Sequence, residues 1–188
     1  MGFDTAARPE KTGDQRVVMH IAADQHERFS ALLDRHRGIV FKVANTYCRE
    51  RHDREDLAQE IAVQLWRAFA DYDDARSFST WMYRIALNVA ISFRRNDRHR
   101  AHAEPFDESL HDVPDRDASD YEATEQARVL ERFMVALDPL NRALLLLYLD
   151  ERSQRDIAEI LGISESNVAT KIGRLKQRLR DGVAAGTL

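Results

Sequence analysis

From Phe29 to Leu179 the apolar residues of this chain recur three and four positions apart, and no stretch alternates with the period of two that a half-buried strand requires. Only 7 Gly and 4 Pro interrupt 188 residues, while Ala, Leu, Arg, Asp and Glu are abundant, so little stands in the way of helix formation. The expectation is an all-α protein of two small helical domains, without the extensive core of a large enzyme.

The net charge of −4 argues at first against a nucleic-acid partner, but the charge is unevenly placed. Residues 101–125 hold 9 acidic and 1 basic side chains and two of the prolines, Pro105 and Pro114. This segment reads as a flexible acidic linker between two domains. Residues 25–100 carry 14 basic against 11 acidic side chains, and residues 126–188 carry 10 against 8. Both flanking domains, 25–100 and 126–182, are therefore mildly basic. Residues 1–24 and 183–188 read as tails.

The single cysteine, Cys48, excludes an internal disulfide and suits a reducing cytoplasm; it reads as a small buried residue. No apolar run approaches the ~20 residues of a membrane span, and the Val17-Val18-Met19 patch is no signal peptide. The seven histidines, His99 and His102 among them, come without cysteine pairs, so no metal is expected. There is no glycine-rich phosphate loop and no nucleophile–base pattern, so neither a cofactor nor a catalytic residue is expected.

In the first domain, Phe29, Leu32, Leu33, Val40, Val43, Ala44 and Tyr47 lie at helical spacings broken near Gly38. Asp53 offers an N-cap, and Leu57, Ile61 and Leu65 step by four, with Trp66 and Phe69 alongside. After the break at Asp71-Tyr72-Asp73-Asp74, Ser77 can cap a helix carrying Phe78, Met82, Ile85, Val89 and Phe93 on its apolar face. The opposite stripe of that helix holds Trp81, Arg84, Asn88 and Arg95, extended by Arg94, Arg98 and Arg100. An aromatic ring among Arg and Asn suits stacking on unpaired bases and gripping their backbone.

The second domain is the more informative. Val129 to Leu137 predicts a helix stopped by Asp138-Pro139, and Leu140 to Tyr148 a strongly apolar second one. Ser153, with Asp156 three residues on, caps a third helix that ends at Gly162, a residue suited to a left-handed C-terminus. Ser164 caps the fourth, in which Val168, Ile172, Leu175 and Leu179 fall at i, i+4, i+7 and i+11. That spacing describes a helix-turn-helix, whose second helix enters the major groove. From Ser166 to Arg180 there are five basic residues and no acid. Ser166, Asn167, Ala169 and Thr170 would face base edges, while Lys171, Arg174, Lys176 and Arg178 would hold phosphates.

Three segments together resemble the extracytoplasmic-function (ECF) sigma factors of bacterial RNA polymerase. Asp56-Leu57-Ala58-Gln59-Glu60-Ile61 is similar to their polymerase-docking motif, and Phe78 to Asn88 (FSTWMYRIALN) to their promoter-melting helix. Leu137-Asp138-Pro139 through Arg142, followed by Ser153 to Leu179, resembles their region 4. The resemblance implies that region 2 (25–100) docks on the clamp helices of core polymerase through Asp56, Gln59 and Glu60. It further implies that Trp81, Arg84, Asn88, Arg94 and Arg95 meet the minus-ten DNA, Asn88 leading into a loop that accepts a flipped base. Region 4 (126–182) would bind the minus-thirty-five element and the polymerase flap, and an anti-sigma factor is the further partner implied.

Ala169 and Gly173 depart from the larger residues common at those positions in related chains, which shifts readout toward DNA shape. Gly173 should also weaken its helix by ~1 kcal/mol relative to alanine. Two other readings are weaker. A regulator that binds DNA without polymerase leaves the first domain unexplained, since that domain lacks the βα alternation of a receiver. An adaptor without a DNA role conflicts with the acid-free basic helix.

Overall fold

In the computed structural model of the chain, residues 12–101 and 121–187 are described, with side chains over 24–95 and 125–187. Every element among them is helical: α1 (Thr12–His36), α2 (Gly38–Tyr47), α3 (Arg51–Ala68), a 3-10 turn (Phe69–Asp71), α4 (Phe78–Ala101), α5 (Tyr121–Ala136), α6 (Pro139–Leu149), α7 (Gln154–Leu161) and α8 (Glu165–Ala184). The chain divides between Arg37 and Gly38 into two compact units.

The first unit contributes α1 alone, 25 residues long. The predicted tail over 1–24 is thus corrected from residue 12 onward: Thr12 to Asp24 continue the helix begun by the Phe29 periodicity. No proline lies between Pro9 and Gly38, and apart from Gly13 the stretch contains residues a helix accepts, so propagation proceeds without a new nucleus. Arg35 lies in its last turn with His36, a cation at the negative pole, and the helix ends just before Gly38 as expected.

In the second unit, α2, α3 and α4 share a core. Leu57, Ile61 and Leu65 of α3 are fully buried, facing Val43, Ala44 and Tyr47 of α2 and Met82, Tyr83, Ala86 and Leu87 of α4. Each large side chain withdrawn from water contributes ~1.5–3 kcal/mol. The apolar face of α4 is rotated from the predicted one. Phe78 and Met82 are buried as expected, but Ala86 and Ala90 take the centre while Ile85, Val89 and Phe93 are half-buried. Small side chains there let the helix backbones approach closely.

The start of α3 also differs: it begins at Arg51, with Glu50 at the N-cap position making no side-chain bond. Asp53 lies in the first turn and acts through the helix dipole rather than as a cap. Arg51 Nε donates to Glu55 Oε1 at 2.8 Å one turn on. Cys48 is buried.

Helices α5 to α8 form the second group. Asp138 caps α6, accepting from the Asn141 amide at 3.0 Å, with Pro139 in the first turn. Burial works against the Asp138 carboxylate, yet these amide bonds hold it below its ordinary value. Helix α6 is buried continuously from Arg142 to Leu147, as suits a helix surrounded by its neighbours. Arg142, only 4% exposed, donates to the carbonyls of Met134, Val135 and Leu137 and so closes the C-terminus of α5. Of the expected linker, Ala101 ends α4 and residues 121–125 belong to α5; the rest of that segment, 102–120, lies outside the described residues.

The sequence joins the two helical groups by the expected linker and leaves their arrangement open. Within the second unit they touch directly, with α4 against α6 and α7.

Candidate nucleic-acid interface

The helix-turn-helix forms as its sequence prescribes. Ser153 accepts from the Asp156 amide at 3.0 Å and donates to the Asp156 carboxylate at 2.7 Å, starting α7. Gly162 ends it at φ +66°, in the left-handed region that glycine enters without steric cost. Ser164 caps α8 by accepting from Asn167 at 3.2 Å. Helix α8 runs to Ala184, two residues into the segment 183–188 that was expected to be a tail. Ile157, Ala158 and Ile160 are buried against Val168, Ile172 and Leu175, while Leu161, Ile163 and Leu179 are half-buried.

The remaining faces of α8 are solvent-facing. Ser166, Asn167, Ala169, Thr170, Arg174, Lys176 and Arg178 are exposed and Lys171 is half-buried. They are not equally available. The Thr170 hydroxyl donates to the Ser166 carbonyl of its own helix at 2.9 Å. The Lys176 ammonium lies 4.4 Å from the Tyr148 ring centre, and the Arg178 guanidinium 6.0 Å from that of Phe133. Asn167 and Arg174 are the residues most plainly presented. Ala169 and Gly173 border a hollow of about 260 Å³ shared with Tyr148, Ile157 and Lys176. A methyl group added at Gly173 would meet nothing within 4 Å.

On α4 the stripe of Trp81, Arg84, Asn88 and Arg95 separates into two environments. Arg84, Asn88 and Arg95 are exposed. Trp81 is half-buried in an aromatic cluster, its ring centre 5.0 Å from Tyr72, 5.2 Å from Phe78 and 6.3 Å from Phe69. These contacts fix the indole while leaving part of it open. The Tyr72 hydroxyl donates to the Arg76 carbonyl at 2.7 Å and steadies the loop before α4. The sequence placed Phe69 and Phe78 in the core; that they hold Trp81 emerges only when the 3-10 turn folds back.

Two α4 expectations change. Asn88 leads into no loop, because α4 continues unbroken to Ala101. Arg94 stands apart from the stripe, half-buried and donating to the Tyr47 carbonyl at 3.1 Å, where it closes the end of α2. Arg98 and Arg100 lie outside the described side chains.

On α3, Asp56, Gln59 and Glu60 are exposed while Leu57 and Ile61 are fully buried, the arrangement predicted. Glu60 accepts from Gln64 at 2.7 Å, and Asp56 lies 3.6 Å from His52. Trp66, expected to pack inside, is instead 42% exposed on this helix, and Phe41 on α2 is 58% exposed. Periodicity did not separate Trp66 from the core residues, because it sits beside the buried stripe, whereas Phe41 falls outside the stripe read from the sequence. Among the described residues, no helix is long and apolar enough to cross a membrane.

The chain matches Sigma-70 region 2 over residues 32–100 and Sigma-70, region 4 over residues 127–179. It is 27% identical over 179 residues to the ECF RNA polymerase sigma factor SigE of Mycolicibacterium smegmatis, covering 93% of this chain and 66% of that protein. With ECF RNA polymerase sigma factor SigW of Bacillus subtilis it shares 26% identity over 178 residues, 88% of this chain and 94% of SigW. The solved structure of CnrH in complex with the cytosolic domain of CnrY superposes with a TM-score of 0.63 at 26% identity, covering 90% of this chain and 97% of CnrH. Two sigma-70 regions in order, on an all-helical frame shared with CnrH, place this chain among the ECF sigma factors of RNA polymerase.

Proposed function

We propose that this chain binds core RNA polymerase, directs it to specific promoters and melts the DNA there. The observation that carries this reading is the presence in one chain of two unlike DNA-facing helices. One is α8, a capped recognition helix without an acid between Ser166 and Arg180; the other is α4, with a fixed, half-open tryptophan beside exposed Arg84 and Asn88. Readers of duplex DNA need the first kind of surface, and only a protein that handles unpaired bases needs the second.

In this reading Asp56, Gln59 and Glu60 contact the clamp of the polymerase's largest subunit. Trp81 stacks on a base of the opened minus-ten element, while Arg84, Asn88 and Arg95 hold its backbone. Arg94 supports that surface through Tyr47. Asn167 and Ser166 face the minus-thirty-five base edges, and Lys171, Arg174, Lys176 and Arg178 neutralise phosphates. Extruding a base costs a few kcal/mol, which stacking on a preformed aromatic surface can offset. The chain performs no covalent step, so it is not an enzyme and uses no cofactor. It works beside polymerase in the cytoplasm, and a protein of the anti-sigma class holds it inactive, a role supported by the likeness to CnrH as solved with CnrY.

Run-off transcription over genomic fragments tests this directly. Core polymerase with the chain should yield discrete transcripts absent from core alone; co-purification failing and transcripts unchanged would refute the reading.

A further inference from the structure

Nothing inside the protein requires a glycine at position 173. Gly173 lies in the middle of α8 with ordinary helical backbone, where glycine is the poorest helix former after proline. A Cβ added there would meet nothing within 4 Å, and Ala169 one turn earlier is exposed as well, so packing does not demand small residues at either site. Without a turn, a positive φ or a close internal neighbour, the remaining use of a glycine is to let something outside the chain approach the helix backbone.

What Gly173 and Ala169 leave open is the hollow of about 260 Å³ between α6, α7 and α8. Its walls are of two kinds. Tyr148 of α6, Ile157 of α7 and Ile172 of α8 offer apolar surface, while Gln154 at the start of α7 and Lys176 bring polar and cationic groups to it. Arg152 also borders it, but its Nε is committed to Asp150 Oδ2 at 3.1 Å and its Nη1 to Ser79 Oγ at 3.0 Å. Lys176 is the cation that serves the hollow. Its Nζ lies 4.4 Å from the Tyr148 ring centre, a contact that occupies one side of the ammonium and leaves N–H donors for an anion. Among the described residues, no acidic side chain lines the hollow. Ser166, Ala169, Gly173 and Lys176 fall at i, i+3, i+7 and i+10, one face about 15 Å long. The hollow is therefore continuous with the surface proposed to meet duplex DNA.

We infer that this hollow seats one deoxyribose-phosphate unit of the minus-thirty-five duplex, the sugar against Ala169, Gly173 and the Tyr148 ring, the phosphate accepting from Lys176 and Gln154. This rests on the sigma-factor reading and names the group that Gly173 admits. The chemistry selects a backbone unit over a base. A sugar with one anion matches an apolar floor with one cation on its rim, whereas a base edge presents a row of donors and acceptors that Ile172 and the Tyr148 ring would leave unsatisfied. Tyr148 is a positioning residue here, because its ring holds the Lys176 ammonium over the seat. A larger side chain at 169 or 173 would hold the helix off the duplex; without one, the α8 backbone itself comes up to the strand. Such a contact sets the depth and register of α8 in the groove without reading sequence.

Promoter binding by the full chain with core polymerase tests this in Gly173→Leu and Ala169→Leu, each of which fills the hollow and changes no charge. Both sites are exposed and helical, so helix content by circular dichroism should be unchanged. Each variant should bind about tenfold more weakly, alike on altered minus-thirty-five sequences, with the slope of log affinity against log salt reduced by about 0.9, the share of one phosphate. A neutral substitution moves that slope only by displacing a phosphate, so a merely structural role for Gly173 would leave it where it was. Tyr148→Leu should lower the slope in the same way and Tyr148→Phe should keep it, since the ring rather than the hydroxyl holds Lys176. Replacing phosphates one at a time by neutral methylphosphonates should reveal one position costly to the wild type and silent in Gly173→Leu. Unchanged slopes in natively helical variants, or a loss confined to one base sequence, would overturn the seat. Equal losses in Tyr148→Phe and Tyr148→Leu would overturn the part given to the Tyr148 ring. If the wild type with core binds no promoter, the sigma-factor reading fails instead; the same slope comparison on non-specific duplex then decides the seat, and binding to no duplex overturns it too.

Discussion

The two helices proposed to meet DNA reach their working surfaces by different routes. Helix α8 is started locally by Ser164 and seated by Val168, Ile172 and Leu175, and most of its remaining side chains face solvent. Helix α4 depends on partners outside itself. Its Trp81 is fixed by Phe69 and Tyr72 from the preceding turn, and its Arg94 is spent on the end of α2. A helix that reads an intact groove needs only an exposed polar face. One that captures an unpaired base needs a ring already immobilised, since ordering it at the moment of melting would cost entropy.

That contrast can be broken by substitution, beginning with the largest effect. Trp81→Ala should slow open-complex formation about thirtyfold, the loss of one stacking contact, while core affinity stays unchanged in a pull-down titration. Asp56→Arg should weaken core affinity about tenfold by reversing charge on the α3 face, and leave duplex binding by the free chain intact. Arg174→Ala should lower duplex affinity several-fold for all sequences alike, and reduce the slope of log affinity against log salt by about 0.9.

Smaller effects sharpen the account of the scaffold. Asp138→Ala should cost ~1 kcal/mol in chemical denaturation, the usual loss of an N-cap. The hydrogen-bonded Asp138 carboxyl sits below its ordinary value of 3.8, so its contribution is complete above that pH and fades as pH falls through the folded-state value. The wild type should therefore lose stability on acidification toward that range, and the alanine variant correspondingly less. Gly173→Ala should raise stability by up to ~1 kcal/mol, because the site is helical and its added methyl meets no neighbour. A thermal shift downward would place an unrecognised constraint at Gly173.

What could be read in the sequence follows the same division. The α7–α8 turn was legible because Ser153, Gly162 and Ser164 act on backbone groups within four residues of themselves. The exposed Asp56, Gln59 and Glu60 followed from the spacing of Leu57 and Ile61. Residues whose partners are distant were not legible. Arg142 reads as a surface cation until the end of α5 folds over it, and Arg94 as part of a basic stripe until Tyr47 arrives. Asp150 meets Tyr83 and Lys42 across 67 and 108 residues, with no periodicity to announce it. The early start of α1 went unread because its first turns carry too few apolar positions to show a face.

Permanganate footprinting of unpaired thymines, with core polymerase and either Trp81→Ala or Arg174→Ala, tests the division of labour most directly. At saturating protein and short incubation, Arg174→Ala should give wild-type reactivity at the minus-ten element, while Trp81→Ala should occupy the promoter with thymine reactivity strongly reduced. Full reactivity with Trp81→Ala, or equal loss in both variants, would contradict the assignment of melting to α4 and anchoring to α8.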